Sequence, residues 1–560
     1  MQRKPNPRSL AAAFLLASAA LSIAVLALRN LYDDELSSLD LVIGPVRNIL
    51  HYTSVANVHP PGMYLLAHVA YLVLPSFRWV NLFPAAFLYA GLSFFLLQVT
   101  PLFARTRSQI CLLLLATLHP ELLMCGASFR WYGWWTGLAL VALTIALQPR
   151  EPTPSFSSAR AITLGLLLAS LYYLNYITFL FAIALIAAML LRYRTQPLRR
   201  LLPRALLACA VSFVLIAPQL HTMFAVHLQQ SSAQRDGVAT SSLRLLQAVA
   251  ASEAYLPWHP LAILACIVFA ALSIAGATAL LQRRRHRAVD HENLQAHTAL
   301  AAITVFAVLF FLLTAVSGLG GKPRNGLLLI PVLAPALAWA VGTIRRRLQD
   351  AALIFLVLWS AVGIAHLLGR YGLAKASMND HPEQVVSFVR QTTGDDCSVV
   401  VTTDGGLAFS LAQSKLPRLL IVSTYQESVF GGASSLPVDN CAHTILYSVQ
   451  SYAGGDSEWQ RTLGAELRSS TQFFTGPPQM RSFSLDPDAS RKRSLARMPL
   501  LGADLADAAR LPDYRYIVTF APIRRADVEA MRQRMPDFIS GAGVNLDPPP
   551  PRPADEYQVR

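Results

Sequence analysis

The sequence predicts a polytopic α-helical membrane protein that carries a soluble α/β domain at its C-terminal end. Three observations predict it. Apolar runs recur from Leu10 to Leu368, and hydrophobic residues make up 54% of the 560-residue chain. Charged residues are only 14%, against about 25% in soluble domains. Beyond about Ala374 the long runs stop, and short segments with strand or helix periodicity replace them. The formal net charge of +15 is carried by arginines in short clusters between apolar runs. That is a positive-inside pattern rather than a nucleic-acid footprint.

The first run, residues 10–28, follows Arg3, Lys4 and Arg8. It is too long for a signal peptide, and Arg29-Asn30-Leu31 offers no small-residue cleavage site, so it reads as an uncleaved span with a cytoplasmic N-terminus. A loop over 29–61 follows, mixed polar and apolar in its middle, as befits a segment lying along the interface. Residues 63–74 are apolar but short of the ~20 residues a crossing needs. Further spans read as 80–103, 109–125, 131–147, 161–174, 177–191, 205–223, 260–281, 296–316, 327–344 and 351–368, about 11–13 membrane helices in all. Arg192 with Arg194, Arg199 and Arg200, then Arg283-Arg284-Arg285 and Arg345-Arg346-Arg347, fall on one side. The 29–61 loop, residues 225–258 and everything after Arg370 fall on the other. Arg105 and Arg107 break the alternation: either 63–74 does not cross or a boundary is miscounted.

The chain thus divides into a membrane domain (1–370), an extracytoplasmic α/β domain (371–546) and a Pro-rich disordered tail (547–560). In the second domain a helix is predicted over 382–390 and strands over 398–403, 418–422, 444–449 and 514–520, with a Ser- and Arg-rich loop over 486–499. Cys111, Cys125, Cys209 and Cys266 fall in apolar spans and read as buried packing residues. Cys397 and Cys441 lie in the exported domain, where an oxidising compartment favours a disulfide with Cα atoms roughly 4.4–6.8 Å apart.

Four constellations can carry chemistry. Asp33-Asp34-Glu35 sits where the first span meets water; it is either a solvated acidic loop or a source of the base that sugar transfer to a hydroxyl requires. His59-Pro60-Pro61-Gly62 fixes the chain's return to the membrane, with His59 a contact for substrate or a structural loop histidine. Gly320-Gly321-Lys322-Pro323-Arg324-Asn325 places two cations on the acidic loop's side, against the positive-inside bias. A polyprenyl phosphate or an anionic lipid headgroup would suit both charges. Ser128-Phe129-Arg130-Trp131-Tyr132 joins an arginine to aromatics at a helix end, and an interfacial aromatic belt with a snorkelling arginine explains it equally well.

In this order and spacing the chain resembles the GT-C superfamily of polytopic glycosyltransferases. It is similar to the protein O-mannosyltransferases and the lipid A aminoarabinose transferases. The resemblance rests on Asp34-Glu35 after the first span, His59-Pro60-Pro61 before the second, Arg130-x-Tyr132 after the fourth, and Lys322-Pro323-Arg324 before an apolar span. Asn175 and Asn325 depart from the family's usual histidine and aromatic. The resemblance implies inverting transfer of a monosaccharide from a polyprenyl-phosphate carrier to an extracytoplasmic lipid, glycan or protein, at the inner (plasma) membrane. Asp34 would be the base, assisted by Asp33 or Glu35. Lys322 and Arg324 would stabilise the leaving phosphate, and His59, Arg130 and Tyr132 would contact substrate. No cofactor is called for and a divalent cation is left open; the partners implied are the donor and membrane lipid, not nucleic acid. The alternatives are a lipid-linked-sugar flippase, which calls for ionisable groups near span centres, and an envelope assembly protein acting through its C-terminal domain.

The charge pattern predicts that a topology reporter fused at Gly455 reads extracytoplasmic and one at Arg285 reads cytoplasmic. The reverse signals would overturn the assigned sides of the whole chain.

Overall fold

A backbone in hydrocarbon must satisfy its own polar groups, so the apolar runs have helix as their available form. The computed structural model describes residues 6–28, 46–55, 59–74, 79–126, 128–151, 154–224, 237–252, 260–283, 291–319 and 323–369, the main elements between 383 and 527, and isolated residues such as Glu35, Ser38 and Val42. In chain order the helices are α1 (Pro7–Leu28), α2 (Val46–Val55), α3 (Gly62–Val73), α4 (Leu82–Val99), α5 (Thr106–Thr117), α6 (Pro120–Gly126), α7 (Trp131–Leu147) and α8 (Ser158–Leu174). They continue as α9 (Thr178–Arg192), α10 (Leu198–Thr222), α11 (Val238–Ala250), α12 (Pro260–Arg283), α13 (His291–Val316), α14 (Leu329–Thr343), α15 (Arg346–Gly369) and α16 (Glu383–Thr393). Among the described residues six helical stretches are long and apolar enough to cross a bilayer, and six shorter apolar helices accompany them. Leu16, Val214, Ile274 and Ile354 are mostly exposed on α1, α10, α12 and α15, a surface suited to lipid and not to water. The protein is a polytopic membrane protein with a C-terminal α/β region.

The chain forms two compact units: Met1–Leu28, Asn57–Leu66 and Trp79–Leu373 make the first, and Arg29–Ala56, Ala67–Arg78 and Ala374–Arg560 the second. In the first unit the puzzle of Arg105 and Arg107 resolves. The 12 residues of α3 rise only about 18 Å, against ~30 Å of hydrocarbon. α1 and α4 are therefore successive crossings. Arg107 pairs with Asp350 at 2.6 Å, and Arg105 donates to the Gly342 carbonyl at 2.5 Å. Both arginines thus share an end of the bundle with the Arg345–Arg347 cluster, as the charge pattern requires.

The tightest helix pair is α4 with α7. Gly133 and Gly137 form a small-xxx-small face on α7. A Cβ on Gly137 would lie 2.2 Å from the Phe87 carbonyl oxygen, and one on Gly91 would lie 2.2 Å from that of Gly137. The two backbones touch, which only glycine permits there. Ser18 and Ser22 of α1 bond to the Tyr89 hydroxyl at 2.8 and 2.6 Å, fixing α1 against α4.

Three features of the helices in this unit differ from the sequence expectation. The span expected over 109–125 is broken into α5 and α6, because His119 precedes Pro120 and its Nδ1 accepts the Glu121 N–H at 3.1 Å. Residues 225–258, expected only as a connecting segment, contain α11. Of the four membrane-domain cysteines expected to be buried, Cys111 and Cys125 are, but Cys209 is exposed and Cys266 half-buried; all four are free.

The second unit holds a five-stranded sheet in the order β2-β1-β3-β5-β4, with β1 Cys397–Thr402, β2 Leu419–Ser423, β3 Thr444–Ala453, β4 Gln479–Ser484 and β5 Tyr514–Ile523. β1 runs parallel to β2 and β3, while β5 is antiparallel to β3 and β4. α16 buries Val385, Phe388 and Val389 against Val400, Tyr447 and Val518. Burial raises the Tyr447 phenol above its ordinary value, while its oxygen bonds to Thr393 Oγ1 at 2.8 Å. β4 has no counterpart in the sequence reading. The loop over 486–499 and the tail over 547–560 lie outside the described residues.

Gly137→Val should disrupt the α4–α7 contact by about 1–3 kcal/mol or more. Gly237→Ala, whose Cβ would meet nothing within 4 Å, should change little. Thermal unfolding of the two purified variants checks both, and equal midpoints would refute the backbone contact.

Candidate functional site

The site of the first unit lies around the start of α7. α6 ends at Gly126, and the chain re-enters helix after Arg130, the N-cap of α7, whose backbone is extended (φ −138°, ψ 171°). The Arg130 side chain is buried, with the residue only 8% exposed. Its Nη2 donates to His59 Nε2 at 3.3 Å. A guanidinium only donates, so Nε2 accepts and the neutral His59 carries its proton on Nδ1. His59 is held by buried Pro60 and Pro61 and by the first turn of α3, where a Cβ on Gly62 would come within 2.5 Å of the Tyr173 carbonyl oxygen.

The third strand of the site is a 3₁₀ turn, Pro323–Gly326. Asn325 Nδ2 donates to the Leu319 carbonyl at 2.7 Å, closing the turn on itself. Arg324 then lies with its guanidinium carbon 5.7 Å from the centre of the buried Tyr132 ring. Behind the turn stands α11: a Cβ on Gly326 would lie 3.0 Å from a methyl carbon of Leu245. Tyr132 itself packs on Trp131 at 4.6 Å.

Residues 59, 130, 132 and 324, far apart in the chain, are thereby brought together. The cluster has two guanidinium groups, an imidazole, a phenol ring and the positive end of the α7 dipole. Such a set favours an anion, with an aromatic face for an apolar or sugar surface. The structure also places Asn81 near this end, since a Cβ on Gly133 would meet the Pro84 carbonyl 2.6 Å away and so sets the first turns of α4 and α7 side by side. Asn81 is fully buried, and neither polar atom of its side chain has a partner among the described residues. A buried amide left in that state costs about 1–3 kcal/mol per group, which a bound polar molecule would recover. Sequence reasoning missed it because a single asparagine at a span's edge carries no pattern.

Other predicted residues stand as follows. Asp33, Asp34, Lys322 and Cys441 lie outside the described residues. Glu35 is helical and fully buried in the second unit, unlike the solvated carboxylate of a bare loop. In that unit the Val42 carbonyl bonds to His68 Nδ1 at 2.6 Å, tying the first loop to α3. Cys397 is disulfide-bonded. Trp131, Trp134 and Trp135 are buried in the bundle and do not form an interfacial belt. Trp135 donates to Thr178 Oγ1 at 2.9 Å and stacks with Phe310. Asn175 serves the fold by shaping the entry to α9. Its Oδ1 accepts the Ile177 N–H at 2.9 Å, and its carbonyl accepts from Thr178 Oγ1 at 2.7 Å. Among the described residues no group of three or more His, Cys, Asp or Glu is placed to hold a metal ion.

No family model matches the sequence, and neither does any curated protein. Solved structures do match. The crystal structure of ArnT from Cupriavidus metallidurans bound to undecaprenyl phosphate aligns over 91% of this chain and 98% of its own, with a TM-score of 0.51 and 13% identity. The same protein in the apo state aligns equally well. The chain has the GT-C fold. At 13% identity, and over 91% of the chain, the likeness is one of fold.

Proposed function

We propose that this protein is an inverting glycosyltransferase that moves a monosaccharide from a polyprenyl-phosphate carrier to an extracytoplasmic acceptor, at the inner membrane of the cell. The observation that carries the reading is the convergence of Arg130, Arg324, His59 and Tyr132 beside the α7 N-terminus. A phosphate at the end of a membrane-embedded lipid is an anion that such a cluster would take. The shared fold with ArnT, a lipid A aminoarabinose transferase whose crystal structure holds undecaprenyl phosphate, supports the same donor class. The acceptor is a lipid, a glycan or a protein presenting a hydroxyl.

In this reading the acceptor oxygen attacks the anomeric carbon from the face opposite the phosphate. The new C–O bond forms as the bond between that carbon and the phosphate oxygen breaks, and the electron pair leaves on the polyprenyl phosphate. Asp34 takes the acceptor's proton, with Asp33 or Glu35 assisting. Lys322 and Arg324 meet the charge that grows on the leaving oxygen, where preorganised cations lower the barrier most. Arg130, kept in place by His59, contacts the same phosphate, and Tyr132 offers its ring to the sugar or the carrier.

The exported orientation of the second unit goes with a disulfide between Cys397 and Cys441. Cys397 is bonded, and in the sheet it stands opposite Thr444, just after Cys441 in the chain. Cys441→Ser should therefore free one thiol in the unreduced protein and destabilise the second unit by about 2–5 kcal/mol. Labelling of Cys397 and Cys441 themselves in the unreduced wild type, located by peptide mapping, would refute the pairing.

Asp34→Asn keeps the size of the side chain and removes its ability to take a proton as a carboxylate. With purified protein and polyprenyl-phosphate sugar, transfer should fall by ~10²–10⁴-fold while the fold is retained. Arg324→Ala should differ in kind, raising the donor KM as well as lowering kcat. Near-normal turnover by a well-folded Asp34→Asn protein would remove Asp34 from the role of base.

A further inference from the structure

Among the described residues, two buried ionisable side chains meet at a break inside the membrane bundle, and the mechanism above does not use them. His119 and Glu121 are both fully buried at the break between α5 and α6. Ionisable groups at such depth are costly, and they are retained where they serve a purpose. Their contacts point in one direction. His119 Nε2 donates to the Val249 carbonyl at 2.9 Å, in the last turn of α11. One carboxylate oxygen of Glu121 accepts from Ser252 Oγ at 2.8 Å, just past the end of α11, and the other accepts from Cys125 Sγ at 3.1 Å. With Nδ1 of His119 taken by the Glu121 N–H, all four polar side-chain atoms of the pair are engaged. That leaves no open position for a proton relay, and it makes the pair an anchor.

What the pair anchors is the C-terminal end of α11. That end needs holding, because Ser252 adopts a left-handed backbone (φ +73°) that a non-glycine residue enters only when its surroundings impose it. His119 also packs edge-on to Trp359 of α15 at 4.9 Å, so the anchor is itself braced. One turn back from Val249, Leu245 is fully buried against Gly326 in the turn that carries Arg324. The path is continuous: Glu121 to Ser252, along α11 to Leu245, to Gly326 and the guanidinium over Tyr132.

We propose that Glu121, through Ser252 and α11, is a positioning residue that sets the Pro323–Gly326 turn and so the affinity for the donor's phosphate. The inference rests on the donor-phosphate role assigned to Arg324. Without the Glu121 acceptor, the end of α11 keeps the His119 bond to Val249 but loses its hold on Ser252, so Leu245 is less firmly set against Gly326 and Arg324 is less firmly held at the site. The effect falls on the turn, not on the bundle, because the α8–α9 corner is built from separate contacts.

The test uses the full-length protein in lipid nanodiscs with undecaprenyl phosphate as the probe, and compares wild type, Glu121→Ala, Ser252→Gly and Glu121→Gln. Hydrogen exchange over residues 319–328 should quicken about tenfold in Glu121→Ala and in Ser252→Gly, with the α8–α9 corner unchanged, and undecaprenyl phosphate should bind about tenfold more weakly. Ser252→Gly tolerates the left-handed backbone, so it reports the lost hydroxyl even if Glu121→Ala does not fold. Glu121→Gln keeps an acceptor oxygen and should recover most of the wild-type behaviour. Unchanged exchange over 319–328, or acceleration spread evenly over the bundle, would overturn the positioning role. If the exchange pattern holds but wild type does not bind undecaprenyl phosphate, the positioning stands and the donor reading falls.

Discussion

The constraint on which the structure depends is that backbone polar groups shielded from water have to bond to one another. With apolar side chains facing outward on α1, α10, α12 and α15, helix is the form that meets this requirement, and irregular backbone is pushed to the two ends of the bundle. One end gathers arginines that bond to carbonyls and carboxylates there, as Arg105 and Arg107 do. The other gathers the polar residues of the candidate site. The interior exception confirms the cost: where α5 gives way to α6, a histidine side chain takes over a backbone donor that the helix can no longer serve.

Fold is legible wherever hydropathy alone decides. The span at 131–147 matches its helix to the residue, and that at 296–316 shares the helix's C-terminal end while the helix itself starts earlier, at His291, because length and apolarity are local properties. The short stretch at 63–74 reads as too short to cross, but its effect on the arginine alternation needs the helix ends to be seen. α11 escapes notice because its buried face includes Ser241 and alanines, which carry little hydropathy, while Leu243 points outward. β4 escapes for a related reason. It is an edge strand with Met480 exposed, and its one core contribution is Phe483 against Phe388.

The site is legible as residue types and not as partners. Arginine beside aromatics, histidine before two prolines and a cationic turn are each visible, and the order in which they come points to one superfamily. Nothing in the spacing says that His59 accepts from Arg130, or that Arg324 lies over Tyr132. Those are tertiary facts created by α3, α7 and the 3₁₀ turn meeting at one end. The tryptophans mislead in the opposite direction. Their amphipathic rings suit an interface, yet Trp135 finds its hydrogen-bond partner inside the bundle at Thr178, which makes burial acceptable.

The glycine contact between α4 and α7 makes one side of the candidate site rigid. With carbonyl oxygens where side chains would normally be, these two helices have no compressible layer between them, and neither can slide or tilt without the other. They form a strut, and Arg130 is fixed to its end. The turn bearing Arg324 meets α11 instead through a side-chain methyl carbon of Leu245, a contact that a rotamer change can relax where a backbone contact cannot. Any give within the candidate site is therefore one-sided: Arg130 keeps its place on the strut, and the turn bearing Arg324 is the part able to shift.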